Sequence, residues 1–164
     1  MGPGASLVSW RGSPSRSVAV PHLREAPVLV ERTWVGLDVH ARSVVACAID
    51  EALGEIRTLR VSPKTEAIVA WAQALPGPVV VAYEAGPTGF GLARALTAAG
   101  VRCEVVAPSK LERPPGDRVK TDRRDAERLA RLLRIGELPG VRVPTEAEEA
   151  ARDLVRARED AAGT

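Results

Sequence analysis

Trp34-Val35-Gly36-Leu37-Asp38-Val39-His40 is a short apolar run broken by one acid, and it reads as a first β-strand. After the tight turn His40-Ala41-Arg42, Ser43 to Ile49 forms a second apolar run. Leu53-Gly54 then marks a turn before a third strand over Ile56 to Val61. Connections this short join antiparallel neighbours, so the first three strands are expected to be a meander. Pro63 introduces a helix predicted over Thr65 to Leu75, whose apolar stripe is Ile68, Val69, Trp71, Ala72 and Leu75. Pro76-Gly77-Pro78 ends it. Val79-Val80-Val81-Ala82-Tyr83 is unbroken apolar sequence, as expected of a central strand covered on both faces, with Glu84 at its end.

Further along, Gly86-Pro87-Thr88-Gly89 reads as a turn, and Phe90 to Ala99 as a helix closed by Gly100. Val101 to Val106 is a fifth strand, followed by a loop from Ala107 to Lys120 and a helix from Asp122 to about Ile135. Val141 to Pro144 is an extended piece. Thr145 to Asp160 reads as a charged helix opened by a capping box of Thr145 and Glu148. Its apolar positions are thin (Ala147, Ala150, Ala151, Leu154, Val155), so that stripe is expected to need a partner. The expected class is therefore α/β: a mixed five-stranded sheet with flanking helices, plus a C-terminal charged helix. Residues 1–31, rich in Gly, Ser, Pro and Arg, are expected to be a poorly ordered arm. Residues 32–140 then form the α/β domain, and 141–164 the start of a helical segment. No internal repeat is evident.

At 164 residues the chain suits one ordinary domain, and its 45% apolar content is enough for a core. Aromatic residues are 3% of the chain, so that core must be built from Val, Leu and Ala. The net charge is +2, yet from Lys110 to Arg134 nine basic residues face five acidic ones. The positive field is thus concentrated in one stretch. All but three of the basic residues are Arg, whose planar fork suits phosphate oxygens. Cys47 and Cys103 both fall in predicted strands, have no metal-ligand spacing, and are expected to be reduced thiols of a cytosolic protein. No apolar run is long enough for a membrane span, and no secretion signal is recognisable, so a cytoplasmic protein without a membrane partner is expected. Abundant Ala, Arg, Val and Gly with no Asn hint at a GC-rich bacterial source.

Within the basic stretch, Asp122 and Asp125 are three residues apart and share a helix face. Asp38 interrupts an apolar strand, where an ionised carboxylate is costly unless paired or metal-bound. Glu84 ends an otherwise apolar strand. If the fourth strand returns parallel to the first, Asp38 and Glu84 become neighbours, and the helix brings two further carboxylates. Such a cluster resists ionisation unless a divalent cation relieves it, and oxygen ligands favour Mg2+ or Mn2+ over Zn2+. Each residue also has a plain structural explanation. Asp122 could be an N-cap with Asp125 in the first turn, Asp38 could pair with an Arg, and Glu84 could cap a loop. Taken singly, His40 reads as a surface or hydrogen-bonded histidine and Tyr83 as core. Arg118 and Lys120 suit a solvated loop as well as a phosphate clamp.

Four segments occur in order: Gly36-Leu37-Asp38-Val39-His40, Tyr83-Glu84-Ala85-Gly86-Pro87-Thr88-Gly89, Ala107-Pro108-Ser109-Lys110, and Pro115-Gly116-Asp117-Arg118-Val119-Lys120-Thr121-Asp122-Arg123-Arg124-Asp125-Ala126. Together they resemble the N-terminal domain of the DEDD insertion-sequence transposases, the "one-ten" family of bacterial mobile elements. The most specific part is Lys-Thr-Asp-Arg-Arg-Asp-Ala, and the likeness runs from about Trp34 to Asp160. It implies a ribonuclease H-like fold similar to the RuvC resolvase. It also implies a catalytic, metal-binding tetrad of Asp38, Glu84, Asp122 and Asp125, with Mg2+ or Mn2+ as cofactor. The partners implied are DNA and a structured bridge RNA, and a second domain carries a nucleophilic serine beyond a coiled-coil segment. No serine follows Ser109 here, so the chain is expected to stop before that domain.

Two readings of function follow. The first is a metal-dependent DEDD domain acting in DNA transposition, with Arg118, Lys120, Arg123 and Arg124 on phosphates and self-association through the C-terminal helix. The second is a non-catalytic nucleic-acid-binding and assembly fragment of a truncated transposase. An actin-like or sugar-kinase-like ATPase half also begins with a Gly-X-Asp strand, but no Gly-rich phosphate loop follows it.

Overall fold

The computed structural model describes residues 30–86, 89–107 and 121–162. The expected arm, the middle of the Gly86–Gly89 turn and most of the loop before Thr121 lie outside the described residues. Ten elements follow in order: β1 (Thr33–Val39), β2 (Val44–Asp50), β3 (Ile56–Val61), α1 (Thr65–Gln73), β4 (Val79–Glu84), α2 (Gly91–Ala98), β5 (Arg102–Val106), α3 (Asp122–Ile135), β6 (Gly140–Val141) and α4 (Glu146–Ala162). They build a six-stranded sheet in the order β3-β2-β1-β4-β5-β6.

The meander forms as expected. β1 pairs antiparallel with β2, and β2 with β3, while His40 N donates to Ser43 O at 2.9 Å to close the first turn. β1 also pairs parallel with β4, in the register Gly36 to Ala82 and Leu37 to Tyr83, and β4 pairs parallel with β5. The five expected strands are joined by a sixth of two residues. Gly140–Val141 adds antiparallel to β5 and overlaps, at Val141, the stretch read from sequence as an extended piece. This mixed α/β arrangement, an antiparallel meander leading into parallel strands with helical crossovers, is consistent with a ribonuclease H-like fold.

Side chains alternate across the sheet, and the alternation sorts two cores. On one face Val35 and Leu37 of β1, Val44, Ala46 and Ala48 of β2, and Val81 and Tyr83 of β4 pack with Ile68 and Ala72 of α1 and Leu92, Ala93 and Leu96 of α2. On the other, Val45, Cys47 and Ile49 pack with Ala126 and Ala130, and Val80 and Ala82 with Leu133. That second face is covered by α3. Its buried residues Ala126, Leu129, Ala130 and Leu133 form a single stripe at helical spacing. β1 can carry a helix so closely because Gly36 faces it. A Cβ there would lie 2.6 Å from Ala130 N and 2.9 Å from Leu129 Cβ, and nearer still to the Ala126 carbonyl oxygen.

α3 ends at Gly136, whose φ of 74° suits glycine. The capping box that opens α4 is present: Glu148 N donates to Thr145 Oγ1 at 3.2 Å, and Thr145 N donates to Glu148 Oε2 at 2.8 Å. The first turns of α4 are tied to α2 through Arg94, which reaches Glu149 Oε2 at 2.5 Å and Pro144 O at 3.1 Å. No residue of α4 is buried, and Leu154 and Val155 are 73% and 56% exposed. Cys47 and Cys103 are free thiols, in β2 and β5.

Candidate metal centre

The stripe that seats α3 also aims its acids. Asp122 is one turn before Ala126 and Asp125 one turn before Leu129, so both continue the packed face toward the C-terminal end of β1. The N-cap is Thr121 and not Asp122: its Oγ1 accepts from Arg124 N at 3.3 Å. Asp122 is therefore released from the capping role considered for it, and a hydroxyl fills that role instead.

On β1, parity places Gly36 and Asp38 on the α3 face, and continues to His40. His40 Nε2 lies 3.1 Å from Asp38 Oδ2 and 3.9 Å from Asp122 Oδ1. One ligand atom from each of Asp38, His40 and Asp122 falls within 4.8 Å of the others. His40 is the residue that single-residue reasoning passed over. The signal was its place two residues from Asp38 on one strand, which puts both on one face. Asp125 stands close enough to act on Asp38, and its Oδ2 is buried. Glu84 is half-buried at the end of β4. The β1–β4 register, continued by one rung, sets it beside Asp38 on the same face, but its carboxylate is not in the close group.

Burial pushes the Asp38 carboxyl up from its ordinary range. His40 pulls it back by charge and hydrogen bond, and Asp122 and Asp125 push it further up. Removing a buried carboxylate's proton beside two others is unfavourable without a cation. The donor types fit a divalent ion: carboxylate oxygens and one imidazole nitrogen converge within 4.8 Å of one another.

Beside the group lies an open groove of about 560 Å³, lined by Val45, Thr58, Leu59, Arg60, Thr121, Asp122 and Arg123. Arg60 is opposite Val45 in the β2–β3 register, so it faces the α3 side. Sequence alone gave no reason to single it out. Arg123 and Arg124 are exposed in the first turn of α3. Arg118 and Lys120 lie outside the described residues.

The DEDD transposase family of the IS110 type, described as "Transposase", matches residues 35–164. The chain belongs to this transposase family. The IS110-type match begins one residue after Trp34 and takes in β1 from Val35 onward, α3 and α4. Among relatives, y4qE of Sinorhizobium fredii, provisionally named a transposase, is 47% identical over 151 residues, covering 89% of this chain and 37% of that protein. The transposase for insertion sequence element IS1533 of Leptospira borgpetersenii is 34% identical over 134 residues, covering 78% of this chain and 38% of that protein. The chain thus spans less than two fifths of the length of these relatives. Among the described residues, no helix is long and apolar enough to cross a membrane.

Proposed function

We propose that this chain supplies the RuvC-like, DEDD half of an insertion-sequence transposase, acting in DNA strand cleavage and exchange on a divalent ion, Mg2+ or Mn2+. The observation that carries the reading is the approach of Asp38 and Asp122, from a strand and a helix far apart in sequence, to within 4.8 Å of each other with His40 between them. Asp38 and Asp122 would hold the ion, and Asp125 and Glu84 would complete the set from the next helical position and the next strand. Bound there, the ion would neutralise phosphate charge and activate a nucleophilic oxygen. Arg123 and Arg124, with Arg118 and Lys120 before them, would neutralise flanking phosphates, and Arg60 and Arg123 line the groove that leads away. In this reading residues 1–31 are an arm, 32–140 the DEDD domain and 141–164 the start of a coiled-coil segment. That segment leads, in the family, to the serine domain. The bare apolar stripe of α4 supports self-association, and a structured RNA would guide the complex on DNA at the bacterial nucleoid.

The test is cleavage of branched DNA with Mg2+ by the wild type and by Asp122→Ala, alongside calorimetric titration of the ion. Loss of both binding and cleavage in the variant, and loss of cleavage in EDTA, are expected. Equal cleavage by both proteins, or cleavage that survives EDTA, overturns the catalytic role. DNA binding without turnover, unchanged when all four acids are replaced, would make the chain an assembly module.

A further inference from the structure

Resting on the reading of this site as a metal centre, we propose that His40 is an inner ligand of the ion, and that its nitrogen shifts the site's preference from Mg2+ toward Mn2+. An octahedral ion with bonds near 2.1 Å sets neighbouring ligand atoms about 3.0 Å apart and opposite ones about 4.2 Å apart. His40 Nε2 stands 3.1 Å from Asp38 Oδ2, the length of one edge of such a shell. Its 3.9 Å from Asp122 Oδ1 lies between edge and diagonal, and one ligand atom from each of the three residues lies within 4.8 Å of the others.

The backbone favours this placement. Asp38 and His40 are on one face of β1, and the His40 N–H is held by Ser43 O at the hairpin turn. The imidazole is therefore presented on a short, closed connection. Its side chain is 48% exposed while that of Asp38 is 15% exposed, so the ring stands at the mouth of the site with the carboxylate beneath it. A mixed set of carboxylates and imidazole suits first-row transition ions better than Mg2+, which prefers oxygen and keeps its waters. Mn2+ is the ion of that row that also accepts carboxylates readily.

The competing role for His40 is positioning: a hydrogen bond that orients Asp38 without touching the ion. The two roles separate in one experiment on the 164-residue chain, using Mn2+ alone and Mg2+ alone as probes. Mn2+ is titrated by calorimetry, and the bound ion is read by pulsed electron paramagnetic resonance, with and without 15N-labelled histidine. Wild type, His40→Ala and His40→Gln are compared, with thermal melting as the folding control. Inner ligation predicts a nitrogen coupling in the wild type that changes on labelling and is absent from both variants. It also predicts Mn2+ affinity lower by about ten-fold or more in both variants, with Mg2+ affinity less affected. Saturable Mn2+ binding without imidazole coupling, or full affinity restored by Gln, overturns the proposal and leaves the metal centre standing. Absence of saturable Mn2+ binding in the wild type, or binding indifferent to Asp38→Asn, overturns the metal centre and the proposal with it.

Discussion

Gly36 lies directly beneath Ala126. The missing side chain at position 36 is what lets the backbone of α3 rest on β1, since a Cβ there would run into the Ala126 carbonyl oxygen and the Ala130 amide. Main-chain atoms have no rotamer by which to yield. Gly36→Ala is therefore expected to lift α3 and to cost about 3 kcal/mol or more, with Asp122 drawn away from Asp38. The urea midpoint and Mn2+ binding should fall together. A variant with wild-type stability would show that α3 is not seated on β1 as described.

Asp38 trades stability for the site. Burial and the neighbouring Asp122 and Asp125 disfavour its ionised form. Asp38→Asn is expected to raise the stability of the metal-free protein by about 1 kcal/mol while abolishing saturable ion binding. Thermal melts with and without Mn2+ check both halves: the variant melts higher than wild type in EDTA and gains nothing from the ion.

The attachment of α4 should fail in acid. Arg142 and Thr145 hold the Glu148 carboxyl down to about 2, and the Arg94 guanidinium holds that of Glu149 below its ordinary range. Groups with lowered folded values contribute stability above the ordinary value near 4.5, and that contribution is lost as pH falls through the folded values. Amide resonances of Phe90 and Glu149 should therefore report loosening of the first turns of α4 between about pH 4.5 and 2. In Glu149→Gln the Phe90 amide should already be shifted at pH 7.

Arg60 and Arg123 are expected to contact phosphates from the groove. Replacing either by Ala should weaken DNA binding across sequences and reduce the slope of log affinity against log salt by about 1. Ion affinity should be unchanged, because neither side chain is a ligand. Fluorescence anisotropy over a salt series measures the slope, and an unchanged slope in both variants would place the strand elsewhere.

Leu154 and Val155 are exposed on α4, which has no buried residue. Leu154→Asp should change unfolding stability by no more than about 0.5 kcal/mol. If the stripe of α4 mates with a second copy, sedimentation velocity should show the wild type associating and the variant monomeric. Identical sedimentation of the two would remove self-association through this helix.

Most of the fold was legible because it is written in local pattern. The run Val79–Tyr83 is apolar on both parities, as expected of a central strand covered on both faces. The helix stripe of α3 is equally plain. β6 was legible only as the start of an extended piece at Val141, because so short a stretch has no period of its own and becomes a strand only by lying against β5. Thr121 escaped notice as the cap because Asp122, next to it, has the same capping propensity; backbone geometry decides between them. His40 and Arg60 were hidden for a common reason. Each depends on which face of a strand it occupies: His40 shares a face with Asp38, and Arg60 reaches the groove only through the β2–β3 register. Glu84 shows the converse, since it is one residue past the paired Leu37 and Tyr83 while its carboxylate is not in the close group.

The pairing of β1 with β4 and the seating of α3 on β1 carry a temporal consequence. Asp38 emerges from the ribosome well before Asp122, and α3 settles on a face built by β1, β2 and β4. A nascent or misfolded copy therefore holds its carboxylates as scattered, solvated groups. The acids of β1 and α3 become neighbours only when α3 has been made and seated.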